Sequence, residues 1–324
     1  MNHPMVESWT AIISKEIEDV EKTIIDTLHS DNEELDEMCR YVIEAGGKRV
    51  RPIICILSHL ACGGTNIDRA ISVGSAFEIV HTASLVHDDI NDNGEVRRGR
   101  KTLHITHTLS KAIIAGDFML VRGYRALGDV GEDVMNIIVK AASMMSESEF
   151  MQKDFEHDLL VTEDDYYKII NGKTAMLIYA SAMSGAYLAT SDAELLEIIG
   201  DYSHNVGLAF QVVDDVLDVI GKDVTGKRVG TDLMEGKPTL PIIYAMQDPI
   251  YGSEIKALYE KDSISDEDVI KALELIKKTN SIDRCMEKAT ELVVEAKKSL
   301  TNLPDSEYKD ALCGLADYIV RRNR

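Results

Sequence analysis

The sequence predicts an all-α fold, and three observations carry that expectation. Six prolines stand at positions 4, 52, 238, 241, 249 and 304, so no proline breaks a helix interior from Ile53 to Lys237. Period-two alternation of β-branched residues is scarce, whereas apolar residues recur at spacings of three and four in 10–25, 34–45, 70–90, 130–146, 192–220 and 265–299. Two segments, Ile71 to Ile90 and Leu195 to Ile220, are apolar nearly all round, which marks central rather than peripheral helices.

In chain order, two amphipathic helices lead to a break at Gly63-Gly64, and the first apolar helix follows, ending at Asp92-Asn93-Gly94. After the helix of 130–146, the uncharged stretch from Thr174 to Ser191 is interrupted by Ser, Thr, Gly and Tyr, which suits a buried helix better than a membrane span. The second apolar helix runs to the break between Gly221 and Gly236, and Asp248 to Gly252 precedes the last helical region. None of these breaks is a long Ser/Gly/Pro linker, so one domain, 1–324, is expected.

Composition excludes several functions. There are 35 Lys and Arg against 56 Asp and Glu, a formal net charge of −21, and that excess repels a nucleic-acid backbone. The five cysteines (Cys39, Cys55, Cys62, Cys285, Cys313) have no metal or redox spacing and read as reduced thiols of a cytoplasmic protein. Charge in the first turns argues against a signal peptide, and no membrane anchor is expected.

The chemistry lies in two acid clusters. Asp88-Asp89-x-x-Asp92 and Asp214-Asp215-x-x-Asp218 repeat one spacing, each at the end of an apolar helix. Residues four apart share a helix face, about 5–6 Å between Cβ atoms, so Asp88 with Asp92 and Asp214 with Asp218 suit a shared hard cation. One acidic helix end reads as a solvated face; two on apolar helices do not. Asp89-x-Asn91-x-Asn93-Gly94 also opens like a calcium loop, but its twelfth position is Arg100 where a bidentate Glu is required. Gly46-Gly47-Lys48-Arg49-Val50-Arg51-Pro52 and Arg97-Arg98-Gly99-Arg100-Lys101 are basic patches suited to phosphate oxygens. Asn171-Gly172-Lys173-Thr174 only imitates a P-loop, because the first required Gly is Tyr167 and no strand precedes it. Gln211 lies on the face of Asp214, and His81 two turns before Asp88 on its face.

Taken together, Gly-Gly-Lys48-Arg-x-Arg51-Pro, His87-Asp88-Asp89-x-x-Asp92-x4-Arg97-Arg98-Gly, Lys173-Thr174, Phe210-Gln211-x-x-Asp214-Asp215-x-x-Asp218 and Asp232-Leu-x-Glu-Gly-Lys237 closely resemble the trans-isoprenyl (polyprenyl) diphosphate synthases, over roughly residues 41 to 245. The resemblance implies a helical bundle around a deep central cavity, usually a homodimer, that condenses isopentenyl diphosphate with an allylic diphosphate by Mg2+-assisted ionisation, with up to three ions. It implies metal ligands at Asp88, Asp92 and Asp214, supported directly or through water by Asp89, Asp215 and Asp218. Lys48, Arg51, His81 and Arg98 match the isopentenyl diphosphate site. Arg97, Lys227 and Lys237 match contacts to the allylic diphosphate, and Lys173, Thr174 and Gln211 contacts to it or to the developing carbocation. Arg228 and Lys101 stand where the family often has proline.

Chain length is read along the helix leading to Asp88. Ser84, Ala83, Val80 and Phe77 lie four, five, eight and eleven residues before it. A bulky aromatic at the first two positions stops the tail early in this family; both are small here, so a geranylgeranyl (twenty-carbon) or longer product is expected, with Phe77 as floor. Farnesyl diphosphate is the alternative product. A class I terpene cyclase shares the ionisation step but needs no isopentenyl diphosphate site, and a non-catalytic partner subunit typically loses aspartates that this chain keeps. The terminal Arg321-Arg322-Asn323-Arg324 reads either as a segment that closes over the diphosphates or as a frayed basic tail, and fraying is the expectation.

Overall fold

A computed structural model describes residues 9–128, 130–221, 229–261 and 264–322. After a 3-10 turn at Ala11–Ile13 come α1 (Ser14–Leu28), α2 (Glu33–Ile43), α3 (Val50–Ala61) and α4 (Ile67–Asn91). A hairpin of β1 (Val96–Arg97) and β2 (Arg100–Lys101) leads to α5 (Leu103–Thr106), α6 (Leu109–Leu127), α7 (Glu132–Asp154) and α8 (Glu163–Ile170). A π-helical turn, Asn171–Ala175, joins α8 to α9 (Met176–Tyr187), followed by α10 (Ala193–Ile220), α11 (Thr231–Met234), α12 (Leu240–Met246) and α13 (Gly252–Tyr259). The chain ends with α14 (Asp266–Ile276), α15 (Ser281–Ser299), a 3-10 turn at Leu300–Asn302 and α16 (Glu307–Arg321). The all-α expectation holds, and among the described residues no helix is long and apolar enough to cross a membrane.

Helix starts follow local chemistry. Asn32, Asn66 and Thr108 accept from the first-turn N–H groups of Leu35, Arg69 and Lys111. Thr162 with Asp165 and Ser265 with Asp268 close reciprocal capping boxes on α8 and α14. Pro52 sits in the first turn of α3, where its missing N–H costs nothing.

The chain forms two compact units, Met1–Ile138 with Ile178–Gly200 and Leu300–Leu315, and Val139–Leu177 with Asp201–Ser299 and Ala316–Arg324. In the first, α4 is the central helix, with α1, α3 and α6 packed against it and buried residues on all its sides. Close approach explains two glycines of α6: a Cβ at Gly116 would lie 2.4 Å from His87 Nε2, and one at Gly123 3.0 Å from Val80 Cγ2. Seven residues apart, they form one small-residue stripe against which α4 lies. In the second unit, α12 to α15 bury Ile242, Ile255, Tyr259, Val269 and Ile276 with Val219 from the end of α10.

The structure departs from expectation at 265–299, at a β-hairpin and at α11, which forms inside the expected break. Region 265–299 is two helices, because the Thr279 hydroxyl donates to Ile276 O (2.7 Å) and accepts from Ser281 N (3.2 Å), competing with the helical ladder. The β-hairpin was not expected; both its central residues, Arg98 (φ 51) and Gly99 (φ 72), are left-handed, the requirement of a tight two-residue turn, and an arginine gives no warning of it. All five cysteines are unpaired; burial pushes the Cys39 and Cys55 thiols up to about 12, which leaves them inert.

Candidate active site

In the first unit, α4 carries Asp88 and Asp89 in its last turn and Asp92 at its cap, where Asp92 N donates to Asp88 O (2.9 Å). Acids here meet the negative end of the helix dipole, so they call for cations. The buried Asp89 takes Arg97, Nε to Oδ1 at 2.5 Å, and so serves the hairpin, while Asp88 and Asp92 are half-buried one turn apart. The hairpin also brings Arg98 back to donate to Gly46 O, and a Cβ at Gly47 would lie 3.0 Å from Arg98 Nη2, which is why that loop carries glycine. Burial, with Arg49 and Arg97 nearby, lowers the Arg98 guanidinium from its ordinary value against the pull of Glu78, so an anion beside it is favourable. Tyr41 fixes this loop by donating its hydroxyl to Lys101 O (2.9 Å) and accepting from Arg100 at its own carbonyl (3.0 Å), doing the work expected of a proline at 101.

Lys48 is half-buried and Arg51 buried. His81 sits in the field of Arg51, Arg98, Arg97 and Arg49; burial first, then those charges, hold its imidazole well below the usual range, so it is neutral at neutral pH. Arg49 is committed instead to two carboxylates. It donates to both oxygens of Glu21 (2.6 and 3.0 Å) and to Glu78 (3.0 Å), an internal ion triad that anchors α3.

In the second unit, equal spacing does not mean equal environment. Asp214 pairs with Arg322 (Nη1 to Oδ1 2.8 Å) and keeps 32 % of its side chain exposed. Asp215 points inward and accepts from Tyr166 Oη (2.6 Å) and Gln211 Nε2 (2.7 Å); burial first, and then Asp232, push its carboxyl well above the usual range. Asp218 accepts from the N–H groups of Thr231 and Asp232 (both 3.2 Å) and so starts α11. Asp215 and Asp218, expected as metal support, act in this structure as internal acceptors, Asp215 for Tyr166 and Gln211 and Asp218 for the loop that starts α11. Adjacent helical residues point about 100° apart, so Asp215 faces the core when Asp214 faces out.

The π-helical turn places the next pair, as such turns often do at functional sites. A Cβ at Gly172 would lie 2.0 Å from Ser148 Oγ, so only glycine admits this contact with α7. Lys173 Nζ then meets Glu149 (2.6 Å) and Gln152 (2.7 Å), and the Thr174 hydroxyl donates to Gln211 Oε1 (2.6 Å). With that proton committed, the oxygen lone pairs of Thr174 are what it offers another partner. Lys237 is buried against Glu235 (2.5 Å), and Lys227 lies outside the described residues.

On α4, Phe77, Val80 and Ala83 are buried, and the Ser84 hydroxyl donates to His81 O (2.9 Å). Val80 packs toward Gly123 of α6, whereas Phe77 and Ser84, seven apart, share the face of Asp88. The frayed tail is corrected at Arg322, which is buried on Asp214; Asn323 and Arg324 lie outside the described residues. Tyr166, Glu149, Gln152 and Arg322 are the site residues the sequence motifs did not reveal, and of these only Arg322 carried a signal, as part of a basic run.

Among the described residues no three His, Cys, Asp or Glu side chains converge as in a self-sufficient metal centre. The donors available are carboxylate oxygens in pairs one turn apart, which suits a hard cation that completes its shell with water and substrate oxygens, magnesium foremost.

Residues 32–276 match the family model for polyprenyl synthetase. The chain is 36% identical over 287 residues (87% of each chain) to an all-trans-nonaprenyl-diphosphate synthase (geranyl-diphosphate specific) of Rhodobacter capsulatus. It is 33% identical over 297 residues, 90% of each chain, to a geranylgeranyl diphosphate synthase of Methanosarcina mazei. The crystal structure of a polyprenyl synthase from Caulobacter crescentus, complexed with calcium and isoprenyl diphosphate, superposes with a TM-score of 0.92 at 30% identity and covers 100% of both chains.

Proposed function

The chain belongs to the polyprenyl synthetase family and is a trans-prenyltransferase, and we propose that it condenses isopentenyl diphosphate head to tail with an allylic diphosphate to a product of twenty carbons or more. The repeated acid cluster carries this reading: two apolar helices end in the same spacing, each with an arginine drawn against it. Calcium and isoprenyl diphosphate in the Caulobacter crescentus relative support a hard cation and a diphosphate as the ligands. We treat 1–324 as one catalytic domain, since the family match takes in parts of both compact units.

Asp88, Asp92 and Asp214 would hold magnesium, which when bound would neutralise the charge gathering on the departing diphosphate. Arg97, Lys173 and Lys237 receive the allylic diphosphate, and Lys227 joins them by motif position. Lys48, Arg51 and Arg98 take isopentenyl diphosphate, with His81 as a neutral donor. As the allylic C–O bond breaks, the electron pair leaves with diphosphate, and Thr174 and Gln211 offer oxygen lone pairs to the cation. The isopentenyl double bond then forms the new C–C bond, and the proton it loses passes to the departing diphosphate. Asp215 and Tyr166 orient Gln211 without touching substrate.

The test is incubation with Mg2+, radiolabelled isopentenyl diphosphate and, separately, dimethylallyl, geranyl, farnesyl and geranylgeranyl diphosphates, followed by chain-length analysis. Products of twenty carbons or more are expected; a farnesyl end-product removes the small-residue reading of Ala83 and Ser84, and no incorporation removes the function. Ser84→Phe is expected to shorten the product by at least one isoprene unit, because it fills the face between Asp88 and Phe77. Unchanged product in both Ser84→Phe and Ala83→Phe would overturn Phe77 as floor.

The active form is a homodimer. Ile114 and Val121, seven apart on α6, are 56% and 66% exposed, with Leu109 and Ile113 exposed beside them, an apolar surface suited to a second copy. Light scattering is expected to give twice 36.0 kDa for the protein and about half of that for Val121→Asp; a dimer that tolerates the charge moves the interface elsewhere.

A further inference from the structure

Arg322 lies one residue beyond α16 and is buried, a rare place for a guanidinium. Its Nη1 stands 2.8 Å from Asp214 Oδ1, its Nη2 donates to Phe210 O (2.5 Å), and its guanidinium carbon sits 4.0 Å above the Phe210 ring centre. Phe210 and Asp214 are four apart on α10, so one residue grips a single helix face. Upstream, Lys297 of α15 donates to both oxygens of Asp317 (2.9 and 3.0 Å), which ties down the last turns of α16 before Arg322.

The grip is incomplete. Nε has no acceptor, and Nη1, although within ion-pair distance of Asp214, is not aligned for a hydrogen bond. Buried N–H groups left unmatched weaken a clasp that charge and the aromatic face hold together. A divalent cation at Asp214 shares one carboxylate with the Arg322 guanidinium, and two cations held that closely repel. The two states therefore compete.

We propose that Arg322 is a displaceable stand-in cation at Asp214: it covers this carboxylate in the resting protein, leaves when a divalent cation arrives, and so raises the cation concentration the second acid cluster requires. This rests on reading Asp214 as a cation holder. Arg322 is a gating residue, not a catalytic one.

The probe is Mn2+, titrated into the full chain with inorganic pyrophosphate and followed by the electron paramagnetic resonance of free Mn2+. Arg322→Met, which keeps length and packing over Phe210, is expected to tighten Mn2+ binding about tenfold, of the order of one close charge pair. Arg322→Lys stays near wild type, and Asp214→Asn weakens binding whether or not Arg322 is also changed. In the wild-type chain, tryptic cleavage after Arg321 and Arg322 should speed up several-fold when Mg2+ and pyrophosphate are added, a readout that needs no variant to fold. If Asp214→Asn weakens Mn2+ binding but Arg322→Met leaves it unchanged and cleavage does not respond, the gate is overturned while Asp214 stands. If Asp214→Asn also binds as wild type, both readings fall.

Discussion

Asp88→Ala and Asp214→Ala are each expected to lower turnover at least about 10²-fold, the scale seen when one preorganised charge-stabilising group is removed. Diphosphate leaves an allylic carbon slowly unless its growing negative charge is met, and the proposed function gives these carboxylates the cations that would meet it. The measurement is incorporation of labelled isopentenyl diphosphate at saturating Mg2+, alongside thermal unfolding of each variant. Asp88→Ala should leave the fold intact, since that side chain is half-buried, whereas Asp214→Ala also removes the counter-ion of the buried Arg322, a cost that the unfolding midpoint reads separately. Near-normal turnover in both variants would remove the catalytic assignment. Asp215→Ala is the instructive contrast: it strips the acceptor from Tyr166 and Gln211, so its loss of activity should come with a lower unfolding midpoint.

The second large effect is on stability. Arg49→Ala leaves Glu78, 2% exposed, without its buried counter-ion, and breaking such a pair from one side costs about 3–5 kcal/mol. Burial works against the Arg49 charge, but Glu78 and Glu21 more than offset it and hold the guanidinium charged. Urea unfolding should show the loss as a lower midpoint with an unchanged slope. Arg49 also has a left-handed backbone (φ 50), so Arg49→Gly separates the two causes. Glycine relieves the backbone yet still strands Glu78, and a midpoint restored by glycine would place the cost in the backbone instead.

The apolar periodicity of α4 and α10 made both helices legible, and the repeated acid spacing at their ends pointed to cations. The single-turn α11 and the Arg98–Gly99 hairpin were not legible, because their cause is not local composition: Asp218 starts α11 from 13 and 14 positions away, and Tyr41 steadies the hairpin from 60 positions away. The basic motif at 46–52 looked uniform, but Arg49 is committed to Glu21 and Glu78, which come from other helices, while Lys48 beside it stays half-buried.

The sequence by itself determined the helical class, the central helices and the chemical kind of the site, because periodicity and spacing act within a few turns of one helix. Only the tertiary structure decided how each charge is used. Tyr166 reaches Asp215 from 49 positions away, and Arg322 reaches the Phe210 carbonyl from 112, so Asp215 became an internal acceptor and Asp214 the ion-paired one. A carboxylate's role follows from the partner that replaces its lost water, and that partner is supplied by packing rather than by sequence neighbours.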